Sequence, residues 1–229
     1  MIELGTKKIR NMIKRFFAFV LAATMAISVS AQPEAGSLTW QPNVGITYTT
    51  ATLDDYKGTA DGAVGLTAGV EAMYMLNEKL GITLGLNYTG YNINDDVFFG
   101  RYHSLFYGYY GYADSEFYER ALDPSPEKAS NYYFNIPVIG NYYVIPGLAV
   151  KAGVTFNVLS TAKVRGKTEI DDFKIRDVYK STFISLPFGA SYEIKNFVFD
   201  ARYNLSVTDI CEYDDGTFHS FALTVGYRF

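Results

Sequence analysis

From Trp40 onward the chain alternates apolar and polar residues in blocks separated by turn-rich stretches. The last block, Phe218 to Phe229, is the most regular. Phe221, Leu223, Val225, Tyr227 and Phe229 fall on every second position, with Ser220, Ala222, Thr224, Gly226 and Arg228 between them. A period of two gives a strand with one large apolar face and one small or polar face. Seven further blocks share the pattern, at about 40–49, 63–76, 80–91, 131–144, 148–158, 184–194 and 197–207. Pro137 lies inside the fourth and predicts a local bulge or a missing ladder bond.

The connections carry a rhythm of their own. The stretches 51–62, 92–130 and 161–179 are long, 77–79, 145–147 and 195–196 are short, and 211–217 is intermediate. Segments of about 10–14 residues are close to what a tilted strand needs to cross a bilayer. A soluble strand avoids ending on exposed aromatic residues, whereas aromatics suit a membrane–water interface. The pattern therefore predicts an all-β, eight-stranded antiparallel up-and-down transmembrane β-barrel with short periplasmic turns and longer extracellular loops. The competing architecture is a soluble barrel of lipocalin type, which turns its apolar face inward.

Composition fits the membrane reading. Gly and Tyr each number 20 and Phe 17, only 19% of residues are charged, and mean hydropathy is near zero. Beyond residue 30 no run of about 20 apolar residues exists, as a helical span would require. Residues 1–31 read as a cleaved export signal. Lys7, Lys8, Arg10, Lys14 and Arg15 precede the apolar core Phe16–Ile27, and Val29-Ser30-Ala31 supplies small residues before Gln32. That core is short for a membrane anchor, and Met12 is an alternative start. Residues 32–39 then form an N-terminal periplasmic segment, and 40–229 the barrel. Removing the signal leaves 15 basic against 23 acidic residues, a net charge of about −8, which disfavours nucleic acid as a partner. Cys211 is the only cysteine, so no internal disulfide forms.

With the apolar sets facing lipid, alternation turns Glu71, Lys151, Glu193, Asp200, Arg202 and Arg228 inward. All lie close to a predicted periplasmic strand end, so they are expected at similar depth, paired across the barrel as a lumen salt-bridge network. A proton or ion path is the rival reading. Eight strands leave just enough room for side chains to fill the centre, which disfavours general porin activity. The 92–130 insertion is rich in tyrosine. Tyr102, Phe106, Tyr107, Tyr109, Tyr110 and Tyr112 are candidate surface-binding residues, since exposed tyrosines supply contact area at low entropy cost. A headgroup-level belt is the plainer reading of the same residues. Catalytic chemistry is thin: the two histidines are His103 and His219. Only Asp209, Asp214, Asp215 and His219 are expected near one another at the outer rim. No zinc spacing, phosphate loop or dinucleotide fingerprint occurs, so no cofactor is expected.

The runs F-N-I-P-V-I-G-N-Y-Y (134–143), G-L-A-V-K-A-G-V-T-F-N-V-L-S-T-A-K (147–163), F-V-F-D-A-R-Y-N-L-S-V-T-D-I (197–210) and the closing L-T-V-G-Y-R-F resemble the PorT-like family of outer-membrane β-barrel domains. The resemblance implies a Gram-negative outer membrane and insertion by the barrel-assembly machinery. That machinery would read the terminal pattern Phe221, Leu223, Val225, Tyr227, Phe229. The family takes its name from a member linked to protein secretion. The expectation is thus a non-enzymatic barrel with a plugged lumen and a structural or surface-interaction role through loop 92–130. Its partners would be outer-membrane lipid and an extracellular or envelope protein or glycan. The alternatives are an accessory of a secretion or envelope-assembly machine, or a small lipid- or peptide-modifying enzyme.

Overall fold

The structure is a computed structural model that describes residues 33–53, 58–94, 128–165, 179–211 and 215–229. Eight strands follow in order: β1 (Leu38–Leu53), β2 (Gly58–Met75), β3 (Leu80–Asn94), β4 (Lys128–Ile145), β5 (Leu148–Arg165), β6 (Thr182–Ile194), β7 (Phe197–Ser206) and β8 (Gly216–Tyr227). Each pairs antiparallel with the next, and β8 returns to β1, so the sheet closes. Closure removes every edge over the paired span, the only way a sheet can satisfy its backbone in hydrocarbon. Beyond the last β1–β8 pair, Trp40 and Phe229 exchange backbone hydrogen bonds of 3.4 and 2.9 Å.

The short turns have specific chemistry. Asn77 Oδ1 accepts the amides of Lys79 and Leu80, forming an Asx-type turn between β2 and β3. Pro146-Gly147 joins β4 to β5, with Gly147 at φ 81, as a type II turn requires at its third position. Lys195 takes φ 56 in the β6–β7 hairpin, and Asn196 Nδ2 donates to the Arg228 carbonyl at 2.8 Å. That end, which also holds both ends of the barrel sheet, is the periplasmic one.

Three prolines each interrupt one ladder. Register is kept across Pro137, but β3–β4 pairing skips from Leu84–Val138 to Asn87–Asn135. Pro187 likewise leaves a gap between Ala152–Phe188 and Thr155–Ser185. At Pro42, β1–β8 pairing begins only with Asn43–Gly226. Of the two options for Pro137, the missing bond is the one present there; the β4–β5 register shifts lie at Tyr132/Tyr133 and Tyr143/Ile145.

Several expected loops are shorter than the pattern suggested. Residues 51–53 and 58–62 belong to β1 and β2, Asn92–Asn94 and Lys128–Ser130 to β3 and β4, and Thr161–Arg165 to β5. Leu38 and Thr39 likewise join β1 instead of the N-terminal segment. Polar, Gly-rich composition marked these stretches as loop, yet above the membrane a strand can carry polar residues on its outer face. β2, β4 and β5 each run 18 residues, whereas β7 has 10. The wall therefore stands roughly 20 Å higher on one side, taking ~3.3 Å per residue and a tilt near 45°.

Outward positions are apolar around the girth of the barrel, with Leu66, Leu84, Phe156, Phe188 and Leu223 all exposed. Aromatic side chains flank this band. Tyr227 packs against both Phe197 and Phe229 at the periplasmic end, and Tyr88 meets Tyr132 and Phe134 towards the outer side. We expect Leu84→Arg to lower folding stability in lipid vesicles by about 2–4 kcal/mol, as a charge near the bilayer midplane does. Urea-dependent unfolding of the reconstituted protein measures it. An unchanged midpoint would mean that Leu84 does not face hydrocarbon.

Candidate functional site

The lumen is where inward side chains converge, and they form three tiers. The lowest is organised by Arg228, just past the end of β8. Its Nη1 pairs with Glu193 of β6 and reaches the Tyr143 hydroxyl of β4 at 3.1 Å, and its Nη2 donates to Gln41 Oε1 of β1 at 2.9 Å. The Tyr143 hydroxyl also lies 2.5 Å from Glu193 Oε1. One guanidinium thus ties four strands together. Met73, Met75 and Ala149 fill the space beside it.

The middle tier is a second ionic cluster. Arg202 of β7 clasps Glu71 of β2 with two hydrogen bonds of 2.7 and 2.8 Å. Its Nε lies 2.7 Å from Asp200 Oδ1, and Asp200 also pairs with Lys151 of β5. The two acids balance the two bases. All four side chains are almost wholly removed from solvent, so each charge must find its partner inside. Fork-to-fork geometry makes the Arg202–Glu71 pair the strongest kind available. Glycines give these long side chains their room. Glu71 sits across from Gly85, and Gly189 lies between Arg202 and Lys151. A Cβ on Gly189 would collide with the Ala201 carbonyl, and one on Gly85 would lie 2.8 Å from Glu71 Cγ.

Above the charges lies a cavity of about 50 Å³, lined by Glu71, Arg202, Asn43, Asn87, Asn135 and Tyr91 among others. It has space for a few waters. An amide layer closes over it: Asn135 Nδ2 donates to Asn157 Oδ1 and, at 3.1 Å, to the Tyr91 hydroxyl.

The uppermost tier is mainly aromatic, with Asn131 buried at the level of Tyr91. Tyr91, Tyr133, Phe183 and Phe218 interlock, with ring centroids 4.9–6.4 Å apart and mostly edge-to-face. Ile93, Ala51, Ala60, Ala129 and Ala162 of the tall wall surround them. From the low side, two segments lean in as a cover. Tyr179 bridges to Cys211, Lys180 N donates to the Ile210 carbonyl at 2.9 Å, and Ile210, Cys211 and Tyr179 are buried.

Sequence reasoning expected the six lumen charges at one depth, and the structure separates them. Glu71, Lys151, Asp200 and Arg202 form the middle tier, while Glu193 and Arg228 form the lower one. Alternation predicts a small or polar inward face, yet the upper lumen is largely aromatic. Tyr91, the last residue of the third predicted block, is a central member of that plug. The signal was available: Tyr91, Tyr133, Phe183 and Phe218 all fall on the inward phase of their strands. Phe221, Leu223, Val225, Tyr227 and Phe229 point outward along β8 and its terminus. Tyr102, Phe106, Tyr107, Tyr109, Tyr110 and Tyr112 lie outside the described residues, as do His103, Asp214 and the segment 1–31. The candidate rim cluster is divided: Asp209 pairs with Lys180 at 3.4 Å, while His219 bonds the Tyr203 hydroxyl at 2.7 Å. Among the described residues no group of three or more His, Cys, Asp or Glu could hold a metal ion.

A closed eight-stranded barrel, apolar outside and filled inside, defines a small membrane-spanning β-barrel. The chain belongs to the outer membrane protein β-barrel domain family, whose model matches residues 19–229. Similar solved structures include Neisserial surface protein A, 15% identical over 83% of this chain and 97% of its own, with a TM-score of 0.49. Ail, the attachment invasion locus protein of Yersinia pestis, is 15% identical over 86% of this chain and 100% of its own, with a TM-score of 0.39. OprG from Pseudomonas aeruginosa is 12% identical over 87% and 99%, with a TM-score of 0.44. No curated protein matches the chain in sequence.

Glu71→Ala should cost about 3–5 kcal/mol in the same urea unfolding, because it leaves Arg202 with one fewer buried partner. Glu71→Leu combined with Arg202→Leu should cost clearly less, since it removes both charges and leaves Lys151 with Asp200. Equal losses would show that the cluster does not act through paired charge.

Proposed function

We propose that this is a non-enzymatic outer-membrane barrel whose specific work is done by its outer loops, chiefly the Tyr-rich stretch 92–130. The observation that carries the reading is the filled lumen. Two ionic tiers and an aromatic plug occupy the tube from β8's end to its outer mouth, which leaves no room for a solute to pass. What remains available for recognition is the outer surface. The division of Asp209 from His219 supports the non-enzymatic reading, because a base and its orienting acid need hydrogen-bond reach. The preferred partner is an extracellular or envelope protein or a glycan. A second reading, an accessory of a secretion or envelope-assembly machine, is supported by the PorT-like resemblance in 134–163 and 197–229. Phe221, Leu223, Val225, Tyr227 and Phe229 are assigned to recognition by the barrel-assembly machinery after export through a cleaved signal in residues 1–31.

The test is a pull-down from outer membranes with the full chain and with a variant whose residues 96–126 are replaced by a short Gly-Ser linker. We expect the variant to insert and resist SDS unheated, as the parent does, but to lose its bound partner. Partner binding that survives the replacement would overturn the loop assignment. Reconstituted in planar bilayers, the parent should show no conductance steps at moderate voltage. Steady channel openings would contradict a plugged lumen.

A further inference from the structure

Only one seam of the barrel joins strands that no stretch of chain connects, and that is β8–β1. Its periplasmic end is also short of backbone bonds. Trp40 and Phe229 exchange both of theirs, at 3.4 and 2.9 Å. By antiparallel alternation the next bonding pairs inward are Pro42–Tyr227 and Val44–Val225. Proline has no N–H to give, so the middle pair loses one of its two bonds. Pro137 and Pro187 also cost a ladder one bond, but several pairs follow on either side of each. Outside Pro42 a single pair remains.

A side chain in the lumen spans this weak place. Arg228 sits between Tyr227 and Phe229, and its Nη2 donates to Gln41 Oε1 of β1 at 2.9 Å. Gln41 is buried and its Nε2 has no hydrogen-bond partner, so the bond from Arg228 is the one that holds its side chain. Gly226 leaves room for it, since a Cβ there would come within 2.7 Å of Gln41 Cγ. The guanidinium is itself fixed away from the seam, by Glu193 of β6 and the Tyr143 hydroxyl of β4. Among the described residues the next side-chain tie across the seam is Thr49 to Ser220, at 2.9 Å and further towards the outer side.

We propose that Arg228 is a lock on this seam. Without its bond to Gln41, the stretch 40–44 parts from 225–229 as a local unit, starting at the periplasmic end, while the other seams stay closed. Such an opening breaks few backbone bonds and so lies well below global unfolding. It is confined to the level of Trp40, Tyr227 and Phe229, aromatic residues suited to the membrane–water interface, where freed amides meet water instead of hydrocarbon. The unbroken ladder from Ile46–Leu223 upward and the Thr49–Ser220 tie stop it there. Arg228 is thus a positioning residue that holds the end of β8 on β1 through Gln41.

Amide hydrogen exchange, resolved by NMR on the full chain in lipid nanodiscs, tests this. Gln41→Leu keeps the Arg228–Glu193 pair and is close to the same size. It should speed exchange at Trp40, Val44, Val225 and Phe229 about tenfold, the worth of one hydrogen bond to a charged group. The β4–β5 ladder should exchange as in the parent. Arg228→Met combined with Glu193→Leu removes the guanidinium without leaving a lone charge, and should speed the same four amides at least as much. SDS-resistant migration before heating checks that each variant is folded; should the double variant fail to fold, Gln41→Leu decides alone. Unchanged exchange at the four amides in either folded variant, or an equal rise in every ladder, would overturn the proposal.

Discussion

Everything inside this barrel answers to one constraint: a tube of eight strands is too narrow for bulk water, and its inward side chains still have to be partnered. Open channels solvate their polar lining. Here Arg202, Glu71, Asp200 and Lys151 solvate one another, and Arg228 uses Glu193, Tyr143 and Gln41 in place of water. Because those partners sit on strands far apart in sequence, each ionic group is also a statement about register. A slip of one residue on β2 or β7 would send Glu71 or Arg202 into hydrocarbon and strand the other in the lumen. Buried charge is a poor source of net stability, so its contribution here is better understood as specifying one alignment of the strands.

The same narrowness explains the backbone. Long charged side chains fit only where the neighbouring strand offers no side chain at that level, hence Gly85 opposite Glu71 and Gly189 between Arg202 and Lys151. Pro137 and Pro187 point inward and each removes one ladder bond on one side only. The ladder on the opposite side continues through both residues, so register survives. In hydrocarbon a lost backbone bond is costly, but an inward ring fills lumen volume without bringing a polar group. Arg228 adds a last link: it lies beyond β8 and its side chain reaches β1, β4 and β6, so pairing of the final strand and completion of the lower tier are the same event.

Strand number, inward and outward phase, and the short turns were legible because period-two alternation follows directly from the pleat. The six inward charges were legible for the same reason. Their depth was not, since depth depends on shear and tilt, which set how a residue on β2 aligns with one on β7 and are invisible in any single strand. The aromatic plug was half-visible. Phe183 sits just outside its predicted block, at a strand end where composition reads as loop, and composition outweighed phase there. Strand ends failed for a related reason: above the membrane the outer face turns polar, as at Thr50, Thr52, Asp61 and Lys163, and alternation of apolar with polar gives way to polar on both sides of the count. Loop 92–130, the stretch with the most distinctive sequence, has no periodic signal to constrain it.

The contrast between the upper and lower lumen bears on where activity can reside. A conduction path would keep polar groups continuous from end to end and place any constriction where it could move. This barrel does the reverse. Its inward charges lie between an ionic latch that bridges four strands and an aromatic cluster held from the tall wall, with a small polar-lined cavity between them. Moving Tyr133 or Phe218 aside would expose their large apolar faces to water, a cost with no compensating contact, and the cover formed by Tyr179, Ile210 and Cys211 would have to leave with them. The interior is therefore built as a rigid support. Rigidity of that kind fixes the ends of the strands at the outer mouth and keeps one constant face towards lipid.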